Sequence, residues 1–327
     1  MSFGYFCILI STLFFSSIEI VLKLVSADFN PLELNFLRFA IGSAMLFPLA
    51  LRSLKRLNMR IEARHWPRFL FTGFLCVVVS MTCFQLAISY TQASIVAILF
   101  SCNAVFVIPL AHVLLKQTMN WVSVGSLLLS VVGMIFILNP EHMPNTTGVI
   151  LALLSALAFA LYGITGQVGQ KKYGYNGLVL TFFSFFAGSL EMLLLMSLTH
   201  LPIVSEGLTS LGLAQFSQLP IIAGISWQSL PTLIYLGIFA TGFGYACYFM
   251  AMERTSAATT SVIFYIKPAL APILALPILG EVLHINTVIG IGFIIAGSAL
   301  MLCAKPLIQW RNNLRTRRLL HNESQWG

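Results

Sequence analysis

Residues 67–115 read PRFLFTGFLCVVVSMTCFQLAISYTQASIVAILFSCNAVFVIPLAHVLL. Arg68 is the only Asp, Glu, Lys or Arg in this stretch. A run of this length holds two segments of about 20 apolar residues, and each can cross the hydrocarbon core of a bilayer as a helix. The stretch therefore predicts two membrane-spanning helices joined by a short turn at residues 90–91.

A second stretch repeats the first. Residues 231–279 read PTLIYLGIFATGFGYACYFMAMERTSAATTSVIFYIKPALAPILALPIL, and a constant offset of 164 residues aligns the two. Offsets of 144 and 146 residues relate the first two apolar segments of the chain to the sixth and seventh. Identical pairs at the offset of 164 are Gly73 and Gly237, Cys83 and Cys247, Ala87 and Ala251, Thr91 and Thr255, Ala93 and Ala257, Phe100 and Phe264, Leu110 and Leu274, and Gly133 and Gly297.

The composition extends the membrane interpretation to the whole chain. Of 327 residues, 58% are apolar and only 9% are charged, whereas a soluble domain carries about 25% charged residues. Such a chain cannot cover its own surface in water. About ten spans of about 20 residues each would use most of its length, so a cofactor-binding or nucleotide-binding domain outside the membrane is not expected. The net charge of +8 then reports membrane topology rather than a nucleic-acid partner. The six cysteines contain no Cys-x-x-Cys pair, which predicts no metal site.

Ten apolar segments are separated by charged clusters, prolines and glycines. Their length excludes the short alternating strands of a membrane barrel, so we predict an all-α polytopic membrane protein. The predicted spans are 3–25, 31–51, 67–89, 92–115, 120–139, 147–168, 177–199, 229–252, 257–280 and 285–304.

The basic residues predict the orientation of these spans. If the N-terminus is cytoplasmic, the cytoplasmic connections and the tail hold fifteen of the 18 Lys and Arg residues, and the outer connections hold none. This asymmetry predicts a multi-pass protein of the cytoplasmic (inner) membrane with both termini in the cytoplasm. Residues 200–228 are interrupted by Glu206 and Pro220, so we predict an outer loop with an interfacial helix and not an eleventh span.

The repeat predicts two halves of opposite orientation. Residues 1–143 form the first five-helix repeat and residues 144–304 the second, followed by a basic cytoplasmic tail at 305–327. Because five is odd, the second half must cross the membrane in the inverted sense. Inverted repeats are typical of secondary transporters, whose substrate site lies near the midplane where the halves meet.

The sequence resembles the EamA-domain transporters of the drug/metabolite transporter superfamily over residues 3–304. The stretch NFLRF at 35–39, the pair Gly280-Glu281, and Gly290 and Gly297 carry the resemblance. It implies a ten-helix carrier, usually an exporter of amino acids or other small metabolites. The chain departs from the family in Lys116-Gln117, where Gly-Glu is common, and in Lys267-Pro268, where an apolar or acidic residue often precedes the proline.

Five of the charged residues within the predicted spans are functional candidates, because charge in hydrocarbon is costly. Glu19 in the first span is a candidate proton carrier, with pairing to Lys23 one turn later as the alternative. The superfamily's small multidrug-resistance members rely on a glutamate in the first span, and the resemblance implies the same for Glu19. Arg38 lies at similar depth and could pair with Glu19. Lys23 is expected to reach the interface.

Lys267 is the sharpest candidate for a substrate site. It precedes Pro268 near the middle of the ninth span, and a proline removes a helical hydrogen bond. We predict that Lys267 binds a substrate carboxylate or phosphate; the alternative is burial as a neutral lysine or pairing with Glu191. Asn103, its repeat counterpart, and the adjacent Tyr265 are candidates for the cavity lining, and packing is the alternative for Tyr265.

These candidates predict a secondary active transporter and not an enzyme. The expected substrate is a small zwitterionic or anionic metabolite such as an amino acid, exported by alternating access with protons as the coupling ion. Glu19 and Glu191 are the candidate proton sites, and Lys267, Arg38, Asn103 and Tyr265 the candidate substrate ligands. Two alternatives stay open: efflux of lipophilic cations through Glu19, and a membrane enzyme acting on a lipid-linked substrate. Membrane lipids are expected partners, and the sequence indicates no oligomeric state.

Overall fold

The chain is described from a computed structural model, which describes residues 2–116, 121–137, 145–255, 260 and 262–302. Within these residues, ten long apolar helices form a single bundle. Seven are long enough to cross a membrane by length and composition, and three are shorter. The helices are α1 (Ser2–Leu24), α2 (Pro31–Arg56), α3 (Ala63–Tyr90), α4 (Ala93–Leu115), α5 (Trp121–Ile137), α6 (Thr146–Tyr173), α7 (Gly177–Leu198), α8 (Leu230–Arg254), α9 (Val262–Leu279) and α10 (Ile285–Leu302).

Each predicted span coincides with one of these helices, which confirms the polytopic all-α fold. The largest differences are at the C-terminal ends of α2 and α6, which continue to Arg56 and Tyr173. Basic side chains occupy both last turns, and positive charge there stabilises the C-terminal end of a helix dipole. The polar final turns therefore stay helical beyond the apolar segment.

The helices alternate in direction between two ends of the bundle. We call the end that carries residues 199–229 the loop end, and the opposite end, which carries residues 52–68, the basic end. At the loop end, the Glu33 carboxylate at the start of α2 accepts a hydrogen bond of 2.8 Å from Gly224 N. At the basic end, Arg56 at the finish of α2 pairs with Glu253 at 2.6 Å. Gly4 at the start of α1 lies beside Arg254 at the basic end, so α1 and α2 run in opposite directions. Gly148 at the start of α6 lies beside Thr91, which Lys23 near the end of α1 also contacts, so α6 runs opposite to α1.

The helix packing has the approximate symmetry expected of two related halves. α1 packs against α8 and α9, and α6 packs against α3 and α4. α2 packs against α7, and α5 packs against α10. Exchanging the first five helices with the last five preserves this pattern. The first helix of each half therefore lies against the third and fourth helices of the other half.

The third helix of each half also shares an irregularity. Residues Phe74–Met81 of α3 and Tyr235–Phe243 of α8 are wound as π-helix. Such wider turns leave backbone groups out of the regular α-helical pattern and are frequent at functional sites. Both segments lie in the central part of their helices.

Glycines allow two pairs of helices to approach closely. A Cβ atom on Gly290 of α10 would lie 2.6 Å from the carbonyl oxygen of Gly133 in α5, and the reverse substitution would create the same clash. Gly73 in α3 faces Gly188 in α7 in a similar way. In membranes, helices associate through small residues of this kind, which explains the glycine at position 290 of the last helix.

Residues 199–229 do not form a span. They contain a short helix, Pro202–Ser210, whose side chains are not buried. The segment is fixed to the bundle by Leu219, which is buried, and by the bond of Glu33 to Gly224. The predicted basic tail at 305–327 lies outside the described residues.

Candidate functional site

A buried ion pair lies between the two halves of the bundle. Nζ of Lys267 in α9 is 2.6 Å from Oε1 of Glu19 in α1, and the two side chains are 7% and 0% exposed. Charges removed from water in this way are costly unless each has an opposite partner. The contact is possible because α1 packs along α9 and the lysine side chain is long.

This pairing corrects three sequence-based expectations. Glu19 is not paired with Lys23 or Arg38, and Lys267 is paired with Glu19 instead of Glu191. The Nζ of Lys23 instead donates hydrogen bonds of 2.6 and 2.9 Å to carbonyl oxygens at the end of α3. The expectations rested on sequence spacing and depth, whereas the contacts are set by which helices of opposite halves adjoin.

Arg38 in α2 is a second buried cation close to this pair. Arg38 is 2% exposed. It lies close enough to Glu19 and Tyr245 to interact electrostatically with both. Its Nη2 lies 3.4 Å from Sδ of Met81, and its guanidinium carbon lies 4.6 Å from the ring centre of Phe39. Nε and Nη1 have no hydrogen-bond partner among the described residues.

Two of these groups, Arg38 and Lys267, line a small cavity of about 40 Å³. It has room for only a few water molecules and is too small for an amino acid. The charged residues around it are almost fully buried, so the site is closed to a substrate in this conformation. The other lining residues are Phe15, Ile18, Phe39, Met81, Phe84, Phe100, Phe159, Thr241, Tyr245 and Phe264.

Aromatic rings dominate this wall and contact each other. The ring centres of Phe84 and Phe100 are 4.9 Å apart, and those of Phe100 and Phe159 are 5.1 Å apart. Lys267 Nζ lies 5.2 Å from the ring centre of Phe100. Ring faces are weakly negative and attract a cation at this distance. The ammonium is therefore held by one carboxylate and by aromatic faces.

The NFLRF stretch links this site to the π-helical part of α3. Asn35, fully buried, donates hydrogen bonds of 3.0 Å to Val77 O and 3.2 Å to Thr82 Oγ1. Val77 belongs to the π-helical segment, so Asn35 pairs with one of its carbonyls. One turn further along α2, Arg38 and Phe39 enter the cavity wall. Asn35 had no role in the sequence analysis, although it belongs to the stretch that carries the resemblance.

The remaining candidates lie away from the ion pair. Glu191 is half-buried in α7, does not line the central cavity, and its Oε2 has no hydrogen-bond partner among the described residues. Asn103 is half-buried where α4 is interrupted at Cys102 and likewise does not line that cavity. The side chain of Tyr265 lies outside the part of the structure that is described.

Two further charges hold the turn between α3 and α4 at the loop end. The Glu281 carboxylate accepts hydrogen bonds of 2.6 Å from Ala93 N and 3.1 Å from Ser94 N, which are unpaired donors of the first turn of α4. Lys23 Nζ caps the end of α3 through the carbonyls of Ile88 and Thr91. A cavity of about 470 Å³ lies beside these contacts. Gly280-Glu281 carries part of the family resemblance, but no rule of sequence spacing predicts that Glu281 contacts residue 93.

Among the described residues, no three His, Cys, Asp or Glu side chains lie close enough together to hold a metal ion. The charged groups at the centre are instead one carboxylate and two cations. Such a set can bind an acid, an amine or a proton by exchanging ion pairs.

Comparison with known proteins identifies the family. The sequence profile of the EamA-like transporter family matches residues 2–139 and again residues 146–303. The chain belongs to this family. Its two matched segments follow the two five-helix groups of the bundle, and the family architecture is a polytopic membrane fold of two repeats.

Individual relatives agree with this membership. A protein of Clostridium kluyveri named an uncharacterized transporter is 35% identical over 307 residues, which is 91% of this chain and 92% of that protein. A probable terminal-alkyne amino-acid exporter of Streptantibioticus cattleyicolor is 25% identical, covering 69% of this chain and 71% of its own length. A solved crystal structure aligns with a TM-score of 0.61 at 16% identity, covering 94% of this chain and 99% of that one, which supports the fold alone.

Membership of the family makes this EamA-like chain a multi-pass membrane transporter rather than an enzyme. A transporter of this kind takes a small molecule as its substrate and has membrane lipids around it. The buried charges between the two halves are the residues on which a more specific account can rest.

Proposed function

We propose that this EamA-like protein is a proton-coupled exporter of a small zwitterionic or anionic metabolite such as an amino acid. The observation that carries the proposal is the buried Glu19–Lys267 ion pair, 2.6 Å long, between helices of opposite halves. A transporter must bind its substrate where the two halves meet. The pair lies at that junction, and its lysine shares a cavity wall with a second cation, Arg38.

A zwitterion fits this arrangement by entering the ion pair. Its carboxylate would take one of the two cations, Lys267 or Arg38, as partner, and its ammonium would take Glu19. Each buried charge would then keep an opposite partner, which a low-dielectric site requires. The aromatic wall would contact the apolar part of the substrate.

The Glu19 carboxylate would also couple the export of the substrate to the entry of protons. A proton on Glu19 removes the negative charge that holds the substrate ammonium, so the proton and a zwitterion exclude each other at this carboxylate. Mutually exclusive binding is the condition for exchange of a substrate for a proton. With an inward proton gradient, the exchange would move the metabolite outwards.

In alternating access, the cavity between the two halves would open to one side of the membrane at a time. The closed cavity of about 40 Å³ would enlarge towards the basic end to admit substrate and towards the loop end to release it. The basic end carries Arg52, Lys55, Arg56 and their neighbours, and by the positive-inside rule these charges favour a cytoplasmic position for it. Both termini would then be cytoplasmic, in the inner membrane.

Two rival functions make different predictions. Efflux of lipophilic cations would use Glu19 and the aromatic rings, but two cations against one carboxylate leave the site net positive, which disfavours a cationic substrate. A lipid-modifying enzyme would need clustered acids or histidines at one membrane surface. Among the described residues no such cluster of three is present.

The proposal is tested by metabolite analysis of the medium around cells that overproduce the protein. Cells making the unmodified chain are compared with cells making Glu19→Gln, Lys267→Met or, as the control, Arg64→Met, whose side chain is exposed at the basic end. We expect enrichment of an amine-containing acid by the unmodified and control proteins only. Equal export by all four proteins, or competition by quaternary ammonium compounds, would contradict the proposal.

A further inference from the structure

The three central charges are not equivalent in the closed structure. Lys267 already has an ion-pair partner in Glu19 at 2.6 Å. Arg38 forms no ion pair with any described residue, although it is 2% exposed. The cluster of one carboxylate and two cations therefore carries one excess positive charge, and that excess lies at Arg38.

The unused hydrogen-bonding capacity also lies at Arg38. A guanidinium group has five N–H donors and no acceptor. Here Nε and Nη1 have no partner among the described residues, and Nη2 contacts only a thioether sulfur at 3.4 Å, which is a weak acceptor. A buried donor without a partner is costly, and a buried cation without a counterion is more so. This arrangement is explained if a ligand supplies the missing acceptor.

We propose that Arg38, and not Lys267, is the primary receptor for the acidic group of the transported molecule, and that the body of this molecule, apart from any amine that reaches Glu19, is apolar. This inference rests on the proposed transport function and narrows its substrate class. A carboxylate can accept two N–H bonds from one guanidinium group, and Met81 would yield its weak contact. Lys267 stays with Glu19 until an amine or a proton reaches that carboxylate.

The apolar part of the ligand follows from the cavity wall. Seven of its lining residues are aromatic, and Arg38 itself lies against the ring of Phe39. Away from the buried charges, a further polar group on the ligand would meet mostly ring faces and lose its hydration without compensation. An acid with an apolar body buries that body and keeps its acidic group on Arg38.

The thermal stability of the unliganded protein distinguishes a ligand-binding role of Arg38 from a purely structural one. If Arg38 awaits a ligand, Arg38→Met removes an uncompensated buried charge and replaces it with an apolar side chain of related length. Such replacements often raise stability. We therefore expect the thermal midpoint of purified, unliganded Arg38→Met to exceed that of the unmodified protein, whereas a structural arginine would give a lower midpoint.

Binding is measured on the full chain in lipid nanodiscs with three probes that share one body: 3-phenylpropionate, 3-phenylpropanamide and 3-phenylpropylamine. Isothermal titration calorimetry and the thermal midpoint report binding to the unmodified protein, Arg38→Met, Arg38→Lys, Lys267→Met and the exposed control Arg64→Met. We expect only the acid to bind. We expect Arg38→Met to weaken its binding by at least about tenfold, Arg38→Lys to weaken it less because the charge remains, and the control to match the unmodified protein.

The other outcomes separate failure of this inference from failure of the transport function. Loss of acid binding in Lys267→Met but not in Arg38→Met would overturn the inference and leave an anion-binding transporter. Binding of the amine alone would contradict both the inference and the anionic or zwitterionic substrate class. If none of the probes binds, the assignment of an acid with an apolar body is wrong, and the export comparison above still judges the transport function.

Discussion

At the scale of single residues, the central feature is the unequal environment of three buried charges. Glu19 is the only acid in contact with Lys267 among the described residues, and it also interacts electrostatically with Arg38. Loss of the carboxylate would leave two cations without an anion. Loss of the lysine would leave Glu19 with Arg38 still nearby. Glu19 and Lys267 should therefore differ in how much each contributes to the stability of the folded protein.

Glu19→Gln is expected to destabilise the protein more than Lys267→Met does. Breaking a buried pair leaves an uncompensated charge and costs about 3–5 kcal/mol, and we expect Glu19→Gln to approach that range. The lysine substitution is milder because Arg38 can move towards the remaining carboxylate. Thermal or denaturant unfolding in detergent measures both, with the exposed Glu206→Gln as a control. A larger loss in Lys267→Met would show that Arg38 does not compensate.

The sequence indicated the charged residues of the candidate site better than their partners. Glu19, Arg38 and Lys267 were found because charge within an apolar segment is rare and costly. Their ion-pair partners were not predicted, because pairing depends on which helices of the two halves lie next to each other. The role of Asn35 also depends on π-helical winding in another helix, and no local pattern in α2 indicates that winding.

At the scale of elements, close helix contacts and helix ends explain the residues that carry the family resemblance. Gly290 and Gly297 lie where α10 packs against α5, and Glu281 caps the first turn of α4. Span number and approximate limits followed from the sequence, since a bilayer fixes helix length. The cap joins two segments 188 residues apart, which spacing alone does not predict.

Two glycines two residues apart in α10 provide a matched test of helix packing. A Cβ on Gly290 would lie 2.6 Å from a backbone oxygen of α5, whereas a Cβ on Gly292 would meet nothing within 4 Å. Gly292→Ala should stabilise the protein by up to about 1 kcal/mol through helix propensity. Gly290→Ala should destabilise it by about 1–3 kcal/mol, because α5 and α10 must separate. Equal shifts in thermal midpoint would contradict the packing described here.

At the scale of the whole molecule, the two halves provide the symmetry that alternating access needs. Each first helix packs on the third and fourth helices of the other half, so movement of one half changes the surroundings of Glu19 and of Lys267 together. The sequence offsets predicted two related halves, and the family profile matches twice. The offsets did not predict which helices pack across the junction, because helix order in a bundle depends on tertiary contacts.

The central claim is that a substrate and a proton compete for Glu19. The most direct test uses proteoliposomes loaded with the metabolite identified in the medium and placed in acidic buffer, with a pH-sensitive dye inside. We predict acidification of the interior that requires both the metabolite and the unmodified protein and is abolished in Glu19→Gln. Metabolite efflux without proton entry, or proton entry that persists in Glu19→Gln, would contradict the account.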